Sequence, residues 1–214
     1  MNYLFAIAGV LVLLVLSEYL WRAQHVRGEV GRKLVHVTVG MYVAFWPYFM
    51  SWQEIRVMCV AFFLVVLVSQ RLNTFKAIHE VKRKTHGELL FPVGILMASL
   101  LASTELVFTV AVLHLALADG FAAIFGTIYG ERRHYRVFTY KKSVVGTVTF
   151  LVISFLLIGY VVLMQGSSYA LANVWIVVWL PLIAAFMENV GVLGMDNVLV
   201  PLVVVAGLNT LQLI

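Results

Sequence analysis

The sequence predicts an all-α, polytopic integral membrane protein with about eight transmembrane helices. Three observations carry this expectation. First, 12% of the 214 residues are charged, 63% are hydrophobic, and mean hydropathy is +0.99. A soluble domain carries about 25% charged residues, so lipid must be the solvent for most of this chain. Second, apolar runs such as VLVLLVL and FFLVVLV lack the alternating polarity of a membrane barrel. Third, all but one of the fifteen Lys and Arg residues lie in three stretches between such runs. These are Arg22, Arg27, Arg32 and Lys33; Arg71, Lys76, Lys82, Arg83 and Lys84; and Arg132, Arg133, Arg136, Lys141 and Lys142, with Arg56 the exception.

A spanning helix needs roughly 20 apolar residues, and its backbone must satisfy its own hydrogen bonds. On that basis spans are expected near 2–21, 34–50, 55–71, 89–104, 106–126, 143–164, 172–187 and 197–213. The first lacks the basic start of a signal peptide, and no convincing cleavage site follows it. At the start of the second lies a polar set, Glu29, Arg32, Lys33 and His36, at spacings that place most of it on one helix face. The fourth follows Glu88, the fifth contains Asp119, and the sixth begins beside Lys141 and Lys142. The last two flank a short loop with Glu188 and Asp196. The length suits one membrane domain over 1–214.

With eight spans the three basic loops alternate, so the positive-inside rule makes them cytoplasmic and puts both termini on the opposite side. Nucleic acid is not an expected partner, because the basic residues flank spans rather than coat a soluble face. Anionic headgroups or an anionic substrate suit them better. The single cysteine, Cys59, excludes a disulfide framework and a cysteine metal site. Tyr3, Tyr19, Trp21, Trp46, Tyr48, Trp52 and Tyr169 fall near expected interfaces, as anchoring rings do.

Several residues are candidates for chemistry. A carboxylate inside an apolar helix costs a few kcal/mol, so Asp119 calls for a polar cavity, a cation or a metal; a purely structural ion pair is the alternative. Gly120, Gly126 and Gly130 either let a ligand approach the backbone or let helices pack closely. Lys141, Lys142, Ser143 and Gly146 at a helix start suit a phosphate, or else a snorkelling lysine and a serine cap. Glu188-Asn189 and Asp196-Asn197 offer hard oxygen ligands for magnesium, or helix caps. Glu29, Arg32, Lys33 and Glu88 add charge on the same side, either as site residues or as ion pairs at helix ends. No Walker A string, G-x-x-x-x-G-K-S/T, occurs. A lipid-facing enzyme that meets a nucleotide needs this one-sided placement of charge. A transporter would distribute charge along a path through the membrane.

In order along the chain, four stretches resemble the CTP-dependent lipid-alcohol kinases, a family that includes dolichol kinase, phytol and farnesol kinase, and yeast-type diacylglycerol kinase. GEVGRKLVHVTVG at 28–40 is similar to an early Arg-Lys-x-x-His segment, and ADGFAAIFGTIYG at 118–130 to an Asp-Gly-x-Ala-x-x-x-Gly-x-x-x-Gly motif. KKSVVGT at 141–147 is similar to a Lys-Ser-x-x-Gly-Ser/Thr motif, and ENVGVLGMDNVLVPL at 188–202 to a late acidic segment. The resemblance implies CTP as donor, Mg2+ or another divalent cation, and a long-chain acceptor such as polyprenol, dolichol, a phytol-like isoprenoid or diacylglycerol. It implies roles for Asp119, Gly120, Gly126, Lys142, Ser143, Gly146, Asp196 and Asn197. Ala118 and Ala123 depart from the pattern. Ala123 replaces a second Asp of phytol-kinase-like members, which points toward the dolichol-kinase branch.

The expected site therefore has Asp119, Glu29, Glu88 and Lys33 as catalytic candidates. Gly120, Gly126, Lys141, Lys142, Ser143, Gly146 and Asn197 would hold nucleotide, and Asp119, Glu188 and Asp196 metal. It would face the cytoplasm, from the cell membrane of a prokaryote or the endoplasmic reticulum of a eukaryote. A CTP-dependent cytidylyltransferase acting on a lipid phosphate is the first alternative, and a small-solute or lipid transporter the second.

Overall fold

A computed structural model of the chain describes residues 2–23, 28–72, 86–164 and 167–211, and the side chains of all of these except 2 and 167–173. Arg27, Lys76, Lys82, Arg83 and Lys84, and the side chain of Tyr169, lie outside the described residues. The helices are α1 (Asn2–Arg22), α2 (Gly28–Ala44), α3 (Trp52–Leu72), α4 (Gly87–Leu101), α5 (Glu105–Leu113), α6 (Gly120–Tyr129), α7 (Val144–Met164), α8 (Ser167–Val190) and α9 (Asp196–Leu208). A π-helical turn, His114–Asp119, joins α5 to α6, making one continuous helix Glu105–Tyr129. Among the described residues, four helices are long and apolar enough to cross a membrane: Tyr3–Arg22, Trp52–Leu72, Glu105–Tyr129 and Val144–Met164. The helices α4 and α9 and the stretch Val174–Val190 are shorter apolar helices.

Local chemistry sets several boundaries. Ser51 and Glu54 form a reciprocal capping box at α3, the Ser51 amide donating to Glu54 (2.8 Å) and the Glu54 amide to the Ser51 hydroxyl (3.3 Å). Thr104 caps α5 by accepting from the Val107 amide at 3.3 Å. Pro92, Pro181 and Pro201 lie inside helices, which membrane-type packing tolerates because neighbours re-satisfy the freed groups.

The Glu105–Tyr129 helix is buried along most of its length, whereas the other three long helices bury less than a third of theirs. It is the axis of the molecule. On it pack α2, α7 and α9. The outer helix α1 leans on α2, α3 leans on α4, and α8 packs against both α7 and α9. Arg56, the isolated cation of the sequence, donates to the Ser99 carbonyl (3.1 Å) and ties α3 to α4. Leu4, Phe5, Leu64, Val68, Leu156 and Leu163 are exposed on the outer helices, as a lipid-facing surface requires.

Three expectations change. The third basic stretch is not a plain loop: β1 (His134–Val137) and β2 (Tyr140–Ser143) pair antiparallel, with Tyr135 opposite Lys142. Lys141, Lys142 and Ser143 therefore lie on a strand, and the helix starts one residue later, at Val144. Trp46, expected as an interfacial anchor, is 1% exposed, because α2 ends at Ala44 and a 3-10 turn (Trp46–Tyr48) folds the indole inward. There it stacks with Phe62, their ring centroids 6.1 Å apart.

Candidate functional site

Asp119 closes the π turn of the buried axial helix. A π turn carries an extra residue and shifts the phase of the residues after it, and such turns recur at functional sites. The Asp119 carboxylate accepts from Lys33 Nζ at 2.5 Å and lies 3.3 Å from His36 Nε2. The same His36 nitrogen sits 2.8 Å from the Leu115 carbonyl. A carbonyl only accepts, so Nε2 carries the proton. Lys33 and His36 are one turn apart on α2, which explains how both reach one carboxylate. The close approach of α2 needs Gly120: a Cβ there would stand 2.2 Å from Val37 Cγ2.

A second ion pair lies alongside. Lys142 Nζ donates to Glu188 Oε1 at 2.5 Å and to the Glu188 carbonyl at 2.9 Å. Burial opposes the Lys142 charge, but the Glu188 carboxylate beside it, together with Asp196 and Asp119, outweighs burial and raises the ammonium pKa. The hairpin aims this lysine. Strand neighbours point to opposite faces, so Lys142 turns inward and Lys141 is exposed. The Tyr135 hydroxyl, opposite Lys142, is hydrogen-bonded to Thr147 on α7 and Asn189 on α8.

Asp196 opens α9, and the backbone brings it in. The turn before it holds Gly194 at φ +95°, and an added Cβ would meet the Gly87 amide at 2.4 Å. The His86 amide donates to the Leu193 carbonyl at 2.9 Å, fixing that turn on the start of α4. Carboxylate oxygens of Asp119, Glu188 and Asp196 all lie within 4.8 Å of one another. Three hard oxygen donors from three helices fit a divalent cation of the magnesium type. Lys33 and Lys142 balance two of the three charges.

The structure thus gathers Lys33, Asp119, Lys142, Glu188 and Asp196. Glu29 pairs with Arg32 (2.5 Å) at the rim. Glu88 accepts from Gln70 at 3.1 Å and lies in a neighbouring pocket. Ser143 Oγ accepts from the Gly146 amide (2.9 Å), acting as a cap for α7. Gly126 and Gly146 face each other across the α6–α7 contact, where a Cβ on Gly126 would meet Ser143 Oγ at 2.7 Å. Gly120, Gly126 and Gly146 are therefore places of helix packing that bring the charged residues together. The Asn197 side chain donates to the Gly194 carbonyl at 3.0 Å and steadies the Asp196 turn. The sequence puts His36 on a polar helix face and in the Arg-Lys-x-x-His segment without a stated role, and gives Tyr135 none. The spacing from Lys33 is the signal for His36; the strand that carries Tyr135 left none.

Beside this cluster an apolar pocket lies between the α1–α2 pair and the α3–α4 pair. Its polar end carries Arg32, His36, Ser69 and Glu88; Val35, Val39, Phe62, Val65, Phe91 and Ile95 line its length.

No family model and no solved structure matches the chain. A phytol kinase from Synechocystis sp. is 30% identical over 193 residues, covering 87% of this chain and 81% of that protein. The chain belongs to the lipid-alcohol kinase family. It also bears on Ala123, whose departure pointed toward dolichol kinases, that this relative is a phytol kinase.

Proposed function

We propose that this protein transfers the terminal phosphoryl group of CTP, or of another nucleoside triphosphate, to the hydroxyl of a long-chain lipid alcohol. The observation that carries the reading is the carboxylate trio Asp119, Glu188 and Asp196, within 4.8 Å, flanked by two lysines and adjoining an apolar pocket. Kinship to a phytol kinase supports the alcohol as acceptor.

In this reading the three carboxylates hold a divalent cation, which would neutralise phosphate charge. Lys33 and Lys142 each use part of their three ammonium protons in the present ion pairs. The remaining protons are available to phosphate oxygens, with Lys142 delivered by the hairpin. Phosphoryl transfer depends chiefly on such positioning and electrostatic stabilisation. The acceptor oxygen forms the new bond to phosphorus, the bridging oxygen of the nucleotide leaves with CDP, and the hydroxyl proton passes to a carboxylate. Among Glu29, Glu88 and Asp119, Glu88 is the one that lines the apolar pocket, which favours it as acceptor of that proton.

The topology that serves this chemistry has eight crossings, with the basic loops and the carboxylates toward the cytoplasm and both termini outside. The nucleotide then arrives from water, while the alcohol stays in the bilayer.

The test is γ-labelled CTP with purified protein, Mg2+ and a panel of lipid alcohols and lipid phosphates. Label in the lipid is the expected result. Label recovered only in pyrophosphate would make the protein a cytidylyltransferase, and no turnover on any lipid by folded protein would sink both readings.

A further inference from the structure

The apolar pocket is a groove with direction. Along α2 its lining runs Arg32, Val35, His36, Val39 and Val43, then Trp46. From Arg32 to Val43 this covers about 16 Å at the helical rise. On the facing wall, α3 contributes Cys59, Phe62, Val65, Val66 and Ser69, and α4 runs from Gly87 to Ile95. Both walls place their polar residues at one end, where Arg32, His36, Ser69 and Glu88 meet. His36 at that end is 3.3 Å from Asp119. At the opposite end stands the buried indole of Trp46, stacked on Phe62.

The groove also has a reason to exist. The α1–α2 pair and the α3–α4 pair each pack internally, but α2 makes little backbone contact with α3 or α4. Side chains span the gap instead: the Phe91 ring sits 4.4 Å from the His36 ring. A seam between helix pairs accepts a hydrocarbon chain without breaking any backbone hydrogen bond.

We propose that this groove holds the single hydrocarbon chain of the acceptor alcohol, hydroxyl toward His36 and Glu88, and that Trp46 is the floor that limits chain length. The proposal deepens the kinase reading and rests on it. Continuity with the carboxylate cluster decides the occupant. A chain inserted from the other end would put its apolar tip beside Asp119, and a free fatty acid would set its carboxylate against Glu88, where the Arg32 charge is already paired with Glu29. An alcohol brings an uncharged hydroxyl to the polar end and leaves the apolar walls filled.

Two arms test it, both on the full chain in phosphatidylcholine nanodiscs. The first compares kcat/KM for geraniol, farnesol, phytol and a long polyprenol. Val39→Phe, which fills the middle of the groove, should lower the phytol-to-geraniol ratio roughly tenfold or more. Trp46→Ala, which opens the floor, should raise the polyprenol-to-phytol ratio by a similar factor. An unchanged length profile in both folded variants overturns the proposal. The second arm needs no variant to fold. A diazirine-tagged farnesol should label wild-type Val35, Val39, Phe62 or Phe91, and excess untagged farnesol should suppress it. Competable label confined to other helices overturns the proposal. A wild type that phosphorylates no alcohol removes the kinase reading, and the labelling arm then decides alone whether the groove takes the chain.

Discussion

Lys33 and Asp119 stand 86 positions apart in the chain and meet in a buried ion pair at 2.5 Å. Each side chain is under 5% exposed. Neither charge is tenable alone in an apolar interior, because an unpaired buried charge costs far more than its pair returns. The pair joins two of the stretches that carry the family resemblance.

Asp119→Asn should lower phosphoryl transfer by roughly 10²–10³ through loss of an anionic ligand and its field. It should also leave Lys33 a buried cation with a neutral partner, costing up to about 3–5 kcal/mol of stability. Adding Lys33→Met should recover much of that stability while activity stays lost. Thermal melts and γ-label transfer, measured on the same detergent preparations, separate the two effects. A fully active, folded Asp119→Asn protein would remove Asp119 from the mechanism.

Chelation of divalent cations should stop turnover, and Mg2+ should restore it. Glu188→Gln and Asp196→Asn should each raise the Mg2+ concentration for half-maximal rate by at least about tenfold. Magnesium titrations at saturating nucleotide read this directly. An unchanged magnesium requirement in both variants would dissociate the trio from metal binding.

Gly94→Ala should destabilise the protein by about 1–3 kcal/mol, the usual cost of overpacking. The added Cβ would stand 1.8 Å from the Asn197 carbonyl oxygen, a backbone atom that only moves with α9. Because Asp196 precedes Asn197, the magnesium requirement should rise too. Wild-type melting and wild-type magnesium dependence together would show that α9 has room to shift.

Topology is checked by cysteine accessibility. Cys59 is buried, so introduced thiols report with little background. Arg136→Cys in the hairpin should label from the cytoplasmic side and Ser103→Cys, between α4 and α5, from the other. Labelling of both from one side would rule out the eight-crossing arrangement.

Much of this was legible in the sequence because hydropathy and charge act locally. An apolar run with few charges must be a helix in lipid, so the helix series came from counting residues, and clustered Lys and Arg imposed an expected orientation. Asp119, Lys142, Glu188 and Asp196 stood out because charge beside or within apolar segments is costly and needs a reason. Only the tertiary structure decided which charge meets which. The π turn sets the phase of Asp119, the hairpin register turns Lys142 inward and Lys141 outward, and the Gly194 turn brings Asp196 to Glu188. Each depends on backbone geometry that no composition or period encodes. The inward fold of Trp46 and the groove above it have the same origin. Burial in a membrane protein is settled by which helices pair, and apolar residues facing lipid read the same in sequence as apolar residues facing one another.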